Sequence, residues 1–176
     1  GRESLYFFNI SSFLESGHIA DLAKLYSKKI DEFNLDYDVI FGPAYKGIPL
    51  AAAVATVLNE KYSKQIPICF DRKEEKDHGE GGALVGSVKN KKVLIIDDVL
   101  TVGTALKNSI NLIQEAGGTV SAVIVALDRQ EQDEGKQVSK KLSDELDIAI
   151  LSISNLENLI NFLETIGQKD IAAKLK

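Results

Sequence analysis

Two adjacent carboxylates, Asp97 and Asp98, follow the apolar run at residues 93–96 and precede a loop containing Thr101, Gly103 and Thr104. Small residues, two hydroxyls and backbone N–H groups at the start of a helix suit a phosphate monoester. Paired carboxylates repel a phosphate, so they must serve another part of the same ligand. Sugar hydroxyls, which donate to carboxylates, or a magnesium ion fit them. A phosphate, a vicinal diol and a magnesium-bound group together describe a ribose phosphate. The plainer alternative is that Asp97 and Asp98 end a strand and cap a helix.

Other residues converge on the same chemistry. The sequence GPAYKG at residues 42–47 repeats the arrangement of apolar strand, glycine-containing loop and helix, which points Tyr45 and Lys46 into a shared crevice. A structural tyrosine and a solvated lysine are the competing reading. Residues 71–82, DRKEEKDHGEGG, hold eight charged residues and one histidine among twelve, with no apolar periodicity. They read as a solvated loop or as a mobile lid. In a lid, Arg72, Lys73, Lys76 and His78 supply cations for a diphosphate, and Gly79, Gly81 and Gly82 supply freedom at the hinge. Arg129 stands at the end of the apolar run 120–127, where ligand contacts are expected; the alternative is a salt bridge with Asp128 or Glu131. His18 reads as a surface or capping residue, and Cys69, inside IPICF, as a core filler.

The elements that must carry these residues alternate. Apolar runs predict strands at residues 38–41, 66–70, 93–96, 120–127 and 148–153. Helical spacing predicts helices at 18–33, 48–62, 105–116, 135–146 and 156–166. In the first of these the stripe is Ile19, Leu22, Tyr26, Ile30 and Phe33, and in the last it is Leu159, Phe162 and Leu163. Gly117 and Gly118 supply a helix stop, and residues 132–135 are the most exposed loop. This alternation predicts an α/β doubly wound, mostly parallel sheet with right-handed crossovers.

The run IIDDVLTVGTAL resembles the phosphoribosyl diphosphate (PRPP) signature of type I phosphoribosyltransferases. GRESLYFFN, FGPAYKGIPLAAAVA, FDRKEEKDHGEGGALVGS and ALDRQE resemble, more narrowly, the orotate phosphoribosyltransferase family. The resemblance implies the type I fold: a central, mostly parallel sheet flanked by helices, a small N-terminal hood and a flexible catalytic lid. It implies transfer of ribose 5-phosphate from PRPP to orotate with Mg²⁺, the ion being held mainly through PRPP and water. Lys76, Asp97 and Asp98 are then the catalytic candidates. PRPP falls to Tyr45, Lys46, Arg72, Lys73, Lys76, His78 and the loop Asp97, Asp98, Val99, Leu100, Thr101, Val102, Gly103, Thr104 and Ala105. Orotate falls to Phe7, Phe8, Thr101 and Arg129. A homodimer is implied as well, with residues 72–78 of one subunit serving its neighbour's site.

Two departures stand out. Val102 replaces an alanine usual in the family, and the family's further N-terminal helix, with its Lys-Ser pair, lies upstream of Gly1. A purine phosphoribosyltransferase and a PRPP-sensing regulator of the same fold are the alternatives.

The length of 176 residues suits one domain, residues 1–176. A net charge of −5 argues against a nucleic-acid partner, and no apolar run is long enough to span a bilayer. A single cysteine excludes an internal disulfide, which makes a reducing cytoplasm the simplest setting.

Overall fold

The computed structural model describes residues 6–63, 65–72 and 83–176. Its main sheet contains β1 (Val39–Phe41), β2 (Ile68–Asp71), β3 (Leu84–Val85), β4 (Lys92–Leu100), β5 (Thr119–Asp128) and β8 (Ala149–Asn155). The order is β3-β2-β1-β4-β5-β8, parallel except for the β2/β3 pair. A separate hairpin pairs β6 (Gln132–Asp133) with β7 (Lys136–Gln137). The helices are α1 (Ser11–Glu15), α2 (Ile19–Glu32), α3 (Gly47–Tyr62), α4 (Thr104–Glu115), α5 (Val138–Leu146), α6 (Leu156–Thr165) and α7 (Lys169–Leu175).

The central strands are apolar throughout because both of their faces are covered. Ile40, Leu94, Ile96 and Ile124 join Tyr26 of α2 and Leu50 and Val54 of α3 in one core. Val39, Phe41, Val93, Ile95 and Val123 join Ile110 and Ile113 of α4 and Leu142 of α5 in a second core on the opposite face.

From β1 the chain passes through α3 to β2 on one side, and from β4 it passes through α4 to β5 on the other. The crossovers therefore diverge between β1 and β4, which leaves a crevice at the carboxyl ends of these two strands. β4 also outruns its neighbour. Its pairing with β1 stops at Phe41 and Ile95, whereas its pairing with β5 continues to Leu100 and Asp128.

The structure corrects several expectations. β4 runs through Asp97 and Asp98 instead of stopping before them, because β5 offers partners along its whole length. Phe33 does not join the buried stripe of α2; the helix ends at Glu32, so Phe33 leaves its phase and is 52% exposed. Residues 135–137 are not helical. Glu134 and Gly135 take positive φ angles of 50° and 79°, which turn the chain into the β6–β7 hairpin, and α5 starts only at Val138. Residues 132–135 are exposed but are built into that hairpin. Phe162 does not point inward: it is 59% exposed, although Leu159 and Leu163 are half-buried.

Cys69 is fully buried and burial pushes its thiol up to about 11, as befits a core residue. His18 is exposed at the head of α2, with Nδ1 3.0 Å from Asp21 Oδ2.

Candidate active site

The crevice between β1 and β4 gathers residues from three stretches of sequence. On its β4 wall, Asp98 is buried, and Asp97 holds the backbone beneath it: Asp97 Oδ1 accepts the Asp98 N–H at 2.8 Å. The Asp97 carbonyl in turn accepts the Tyr26 hydroxyl at 2.7 Å, across 71 residues of chain. Tyr26 is completely buried, and a buried phenol requires a partner. Burial, reinforced by both aspartates, raises the tyrosine pKa, so the hydroxyl stays a donor.

Lys46, at the head of α3, reaches across the crevice. Its Nζ lies 3.2 Å from Asp98 Oδ2. The approach is out of hydrogen-bond alignment: among the described residues, that buried oxygen accepts no hydrogen bond. A buried carboxylate oxygen beside a cation and lacking a donor is suited to a hydroxyl brought by a ligand. Burial raises the Asp97 carboxyl to about 7, and the charge of Asp98 adds to this, against the lowering effect of the Asp98 N–H bond and Lys46.

The turn before Lys46 is shaped by close backbone approach. A Cβ on Gly42 would clash with the Gly47 carbonyl oxygen. The Ala44 N–H donates to Asp71 Oδ1 at 2.6 Å, which ties this turn to the end of β2. Tyr45 beside it is 64% exposed.

From β4 the chain bends at residues 101–103 into α4. Gly103 precedes the helix with φ 83°, and a Cβ there would lie 2.6 Å from Leu142 Cδ1. This tight turn leaves a small hollow of about 20 Å³ bordered by Asp97, Val99, Thr101, Gly103 and Ala105. Thr104 is exposed in the first turn of α4, where unpaired N–H groups favour an anion. The Leu100 side chain belongs to the second core, so only its backbone faces this loop. Val102 is 69% exposed, so its extra bulk over alanine points outward.

Arg129 follows β5, and its N–H donates to the Leu100 carbonyl at 3.2 Å, which sets it at the end of β4. Its guanidinium lies 5.0 Å from the Tyr6 ring centroid, and Nη2 lies 3.2 Å from Glu131 Oε1. The salt bridge weighed from the sequence therefore exists, and its partner is Glu131. Phe7 is 78% exposed, with Lys46 Nζ 5.5 Å from its ring centroid, and Phe8 sits 6.1 Å from Phe13, packed on the first core.

Asp97, Asp98, Lys46, Thr101, Arg129 and Phe7 thus surround one end of the sheet. Arg72 leaves β2 with its N–H donating to Ala83 O at 2.8 Å. Lys73, Lys76 and His78 lie outside the described residues.

A family model of the phosphoribosyl transferase domain matches residues 11–157. An orotate phosphoribosyltransferase of Cellvibrio japonicus is 42% identical over 178 aligned residues, covering 100% of this chain and 83% of the relative. Another, from Ruthia magnifica, is 46% identical over 165 residues, 93% of this chain and 78% of the relative. The chain belongs to the orotate phosphoribosyltransferase family. A crystal structure of orotate phosphoribosyltransferase from Francisella tularensis has the same architecture, with TM-score 0.83 and 39% identity over 99% of this chain and 82% of that one. Within this orotate phosphoribosyltransferase framework, Tyr26 reads from the sequence only as core and Asp71 only as part of a charged run. Their roles in holding Asp97 and Ala44 depend on contacts between distant segments, which no local pattern records.

Proposed function

We propose that the protein transfers the 5-phosphoribosyl group of PRPP to orotate, giving orotidine 5′-monophosphate and diphosphate, a step in pyrimidine nucleotide synthesis. The observation that carries this reading is the Lys46–Asp98 pair across the β1/β4 crevice, beside the tight turn into α4. The pyrimidine N1 gives up its proton to solvent or the departing diphosphate and attacks the anomeric carbon; as the new C–N bond forms, the C–O bond to diphosphate breaks and its electron pair leaves with the diphosphate. The ribose passes through an oxocarbenium-like state, as in glycoside chemistry.

Each group has a task. Asp97 and Asp98 accept the ribose hydroxyls and stabilise positive charge on the ring. Thr101, Val102, Gly103, Thr104 and Ala105 hold the 5-phosphate, mainly through backbone N–H groups and the two hydroxyls, and Val99 and Leu100 lead β4 into this PRPP loop. Lys46 and Tyr45 meet the diphosphate from the β1 side. Arg72 and, on sequence grounds, Lys73, Lys76 and His78 neutralise the leaving diphosphate. Thr101 and Arg129 meet orotate, with Phe7 and Phe8 bordering its flat ring.

A departing diphosphate calls for magnesium. Among the described residues no cluster of three or more acidic, His or Cys side chains could hold a metal. Two carboxylates beside a phosphate cradle suit an ion that arrives on the diphosphate and keeps several waters. Asp97 and Asp98 would contact its shell, and the ion supplies charge neutralisation for the leaving group. No helix of the described residues is long and apolar enough to cross a membrane, and a cytoplasmic homodimer fits this reading.

The test is the loss of orotate absorbance with PRPP and Mg²⁺. Orotate consumption is expected, with no competition from adenine or hypoxanthine. Consumption of a purine instead would install a purine phosphoribosyltransferase, and PRPP uptake without turnover would point to a sensor.

A further inference from the structure

We propose that Glu131 and Tyr6 are positioning residues that fix the Arg129 guanidinium as a rigid receptor for a pyrimidine carboxylate. This rests on the orotate reading above and extends it to two residues that the reading leaves without a task.

An arginine side chain loses considerable rotamer freedom when it is held in one pose. A receptor for a carboxylate gains when that loss is met before the ligand arrives. Arg129 is held in this way from two directions. Arg129 Cζ lies over the Tyr6 ring, 5.0 Å from its centroid, and Nη2 pairs with Glu131 Oε1 at 3.2 Å. An aromatic ring beside the guanidinium carbon and a carboxylate at one of its nitrogens together restrict how a planar group can turn. Guanidinium recognition of a carboxylate depends on this plane, which a lysine could not supply.

The frame beneath is equally fixed. Arg129 N–H donates to Leu100 O at 3.2 Å, which joins the receptor to the strand that carries Asp97 and Asp98. Gln130 takes a positive φ of 53°, its N–H donating to Asp128 Oδ1 at 2.8 Å and its Oε1 accepting the Glu157 N–H at 2.8 Å. The Glu131 carbonyl accepts the Val138 N–H at 2.9 Å, which holds the glutamate to the head of α5. A groove of about 400 Å³ opens beside Tyr6, Arg129 and Glu131. With side chains 23% and 26% exposed, the Arg129–Glu131 pair is largely shielded from solvent, so losing Glu131 leaves a cation with less compensation as well as an arginine free to turn.

Steady-state kinetics on the whole chain test this. Glu131→Ala should raise the KM for orotate about tenfold while leaving the KM for PRPP near wild type. Glu131→Gln, which keeps an oxygen acceptor, should recover most of the loss, and Tyr6→Leu should also raise the orotate KM. An orotate KM that is unchanged or lowered in Glu131→Ala overturns the proposal; a lowered value would make Glu131 a competitor of the substrate. If Arg129→Ala leaves the orotate KM unchanged in an enzyme that consumes orotate, the proposal falls and the function stands. If wild type consumes no orotate, both fall.

Discussion

Asp97 is the residue at which the site and the stability of the fold meet. Burial, with the Asp98 charge beside it, raises its carboxyl to about 7, so the folded chain holds a proton there that the unfolded chain has released. Between the ordinary aspartate value and about 7 the folded state binds more protons, and stability from this group falls as pH rises through that window. Asp97→Asn keeps the shape and removes the charge. Relative to wild type it should melt several degrees higher at pH 8, a gain on the order of 1–3 kcal/mol, and show little difference near pH 4. Calorimetric melts at the two pH values decide this; equal differences at both would contradict the assigned ionisation. The same variant should lose on the order of 10²–10³ in kcat/KM for PRPP, since a carboxylate beneath the ribose is gone. At this scale the sequence was informative. The carboxylate pair, Lys46 and Arg129 were legible as types at strand ends, and so was a salt bridge of Arg129 with Asp128 or Glu131, but the choice of Glu131 and the pairing of Lys46 with Asp98 were not.

At the scale of elements, the end of β4 is positioned by two devices. The first is Tyr26, which projects from α2 into the first core and donates to the Asp97 carbonyl at 2.7 Å. Tyr26→Phe preserves the packing and leaves that carbonyl without its donor. A loss of about 1–3 kcal/mol is expected in denaturant unfolding, with an unchanged m-value. A variant as stable as wild type would remove Tyr26 from this account. The second device is the turn at Gly103, where φ is 83° and a Cβ would meet Leu142 of α5. Gly103→Ala should cost about 1–3 kcal/mol in stability and raise the KM for PRPP; an unaltered KM would mean that this turn does not shape the phosphate cradle. Element types were readable because apolar periodicity separates buried strands from helices with one packed face. The hairpin at residues 132–137 was missed because its strands are two residues long, too short for any period to show.

For the whole molecule, the resemblance implies that residues 72–78 of one subunit complete the site of the other. Lys76→Ala alone should lower turnover by about a hundredfold. Mixed with Asp98→Asn subunits, it should regain activity, because some hybrid dimers then carry one intact site. No recovery after mixing and re-equilibration would place the two residues in the same subunit's site.

What the sequence determined by itself was the alternation of elements, the two-faced burial of the central strands and the residue types at the carboxyl ends of those strands. Each is a local property, set by side-chain polarity and spacing along a few turns of chain. Tertiary structure alone decided how far β4 extends past β1, which cation faces Asp98, and that a tyrosine 71 residues away holds the Asp97 carbonyl. Those outcomes depend on strand order and on helix packing across the sheet, and such contacts between distant segments form only when the sheet is assembled.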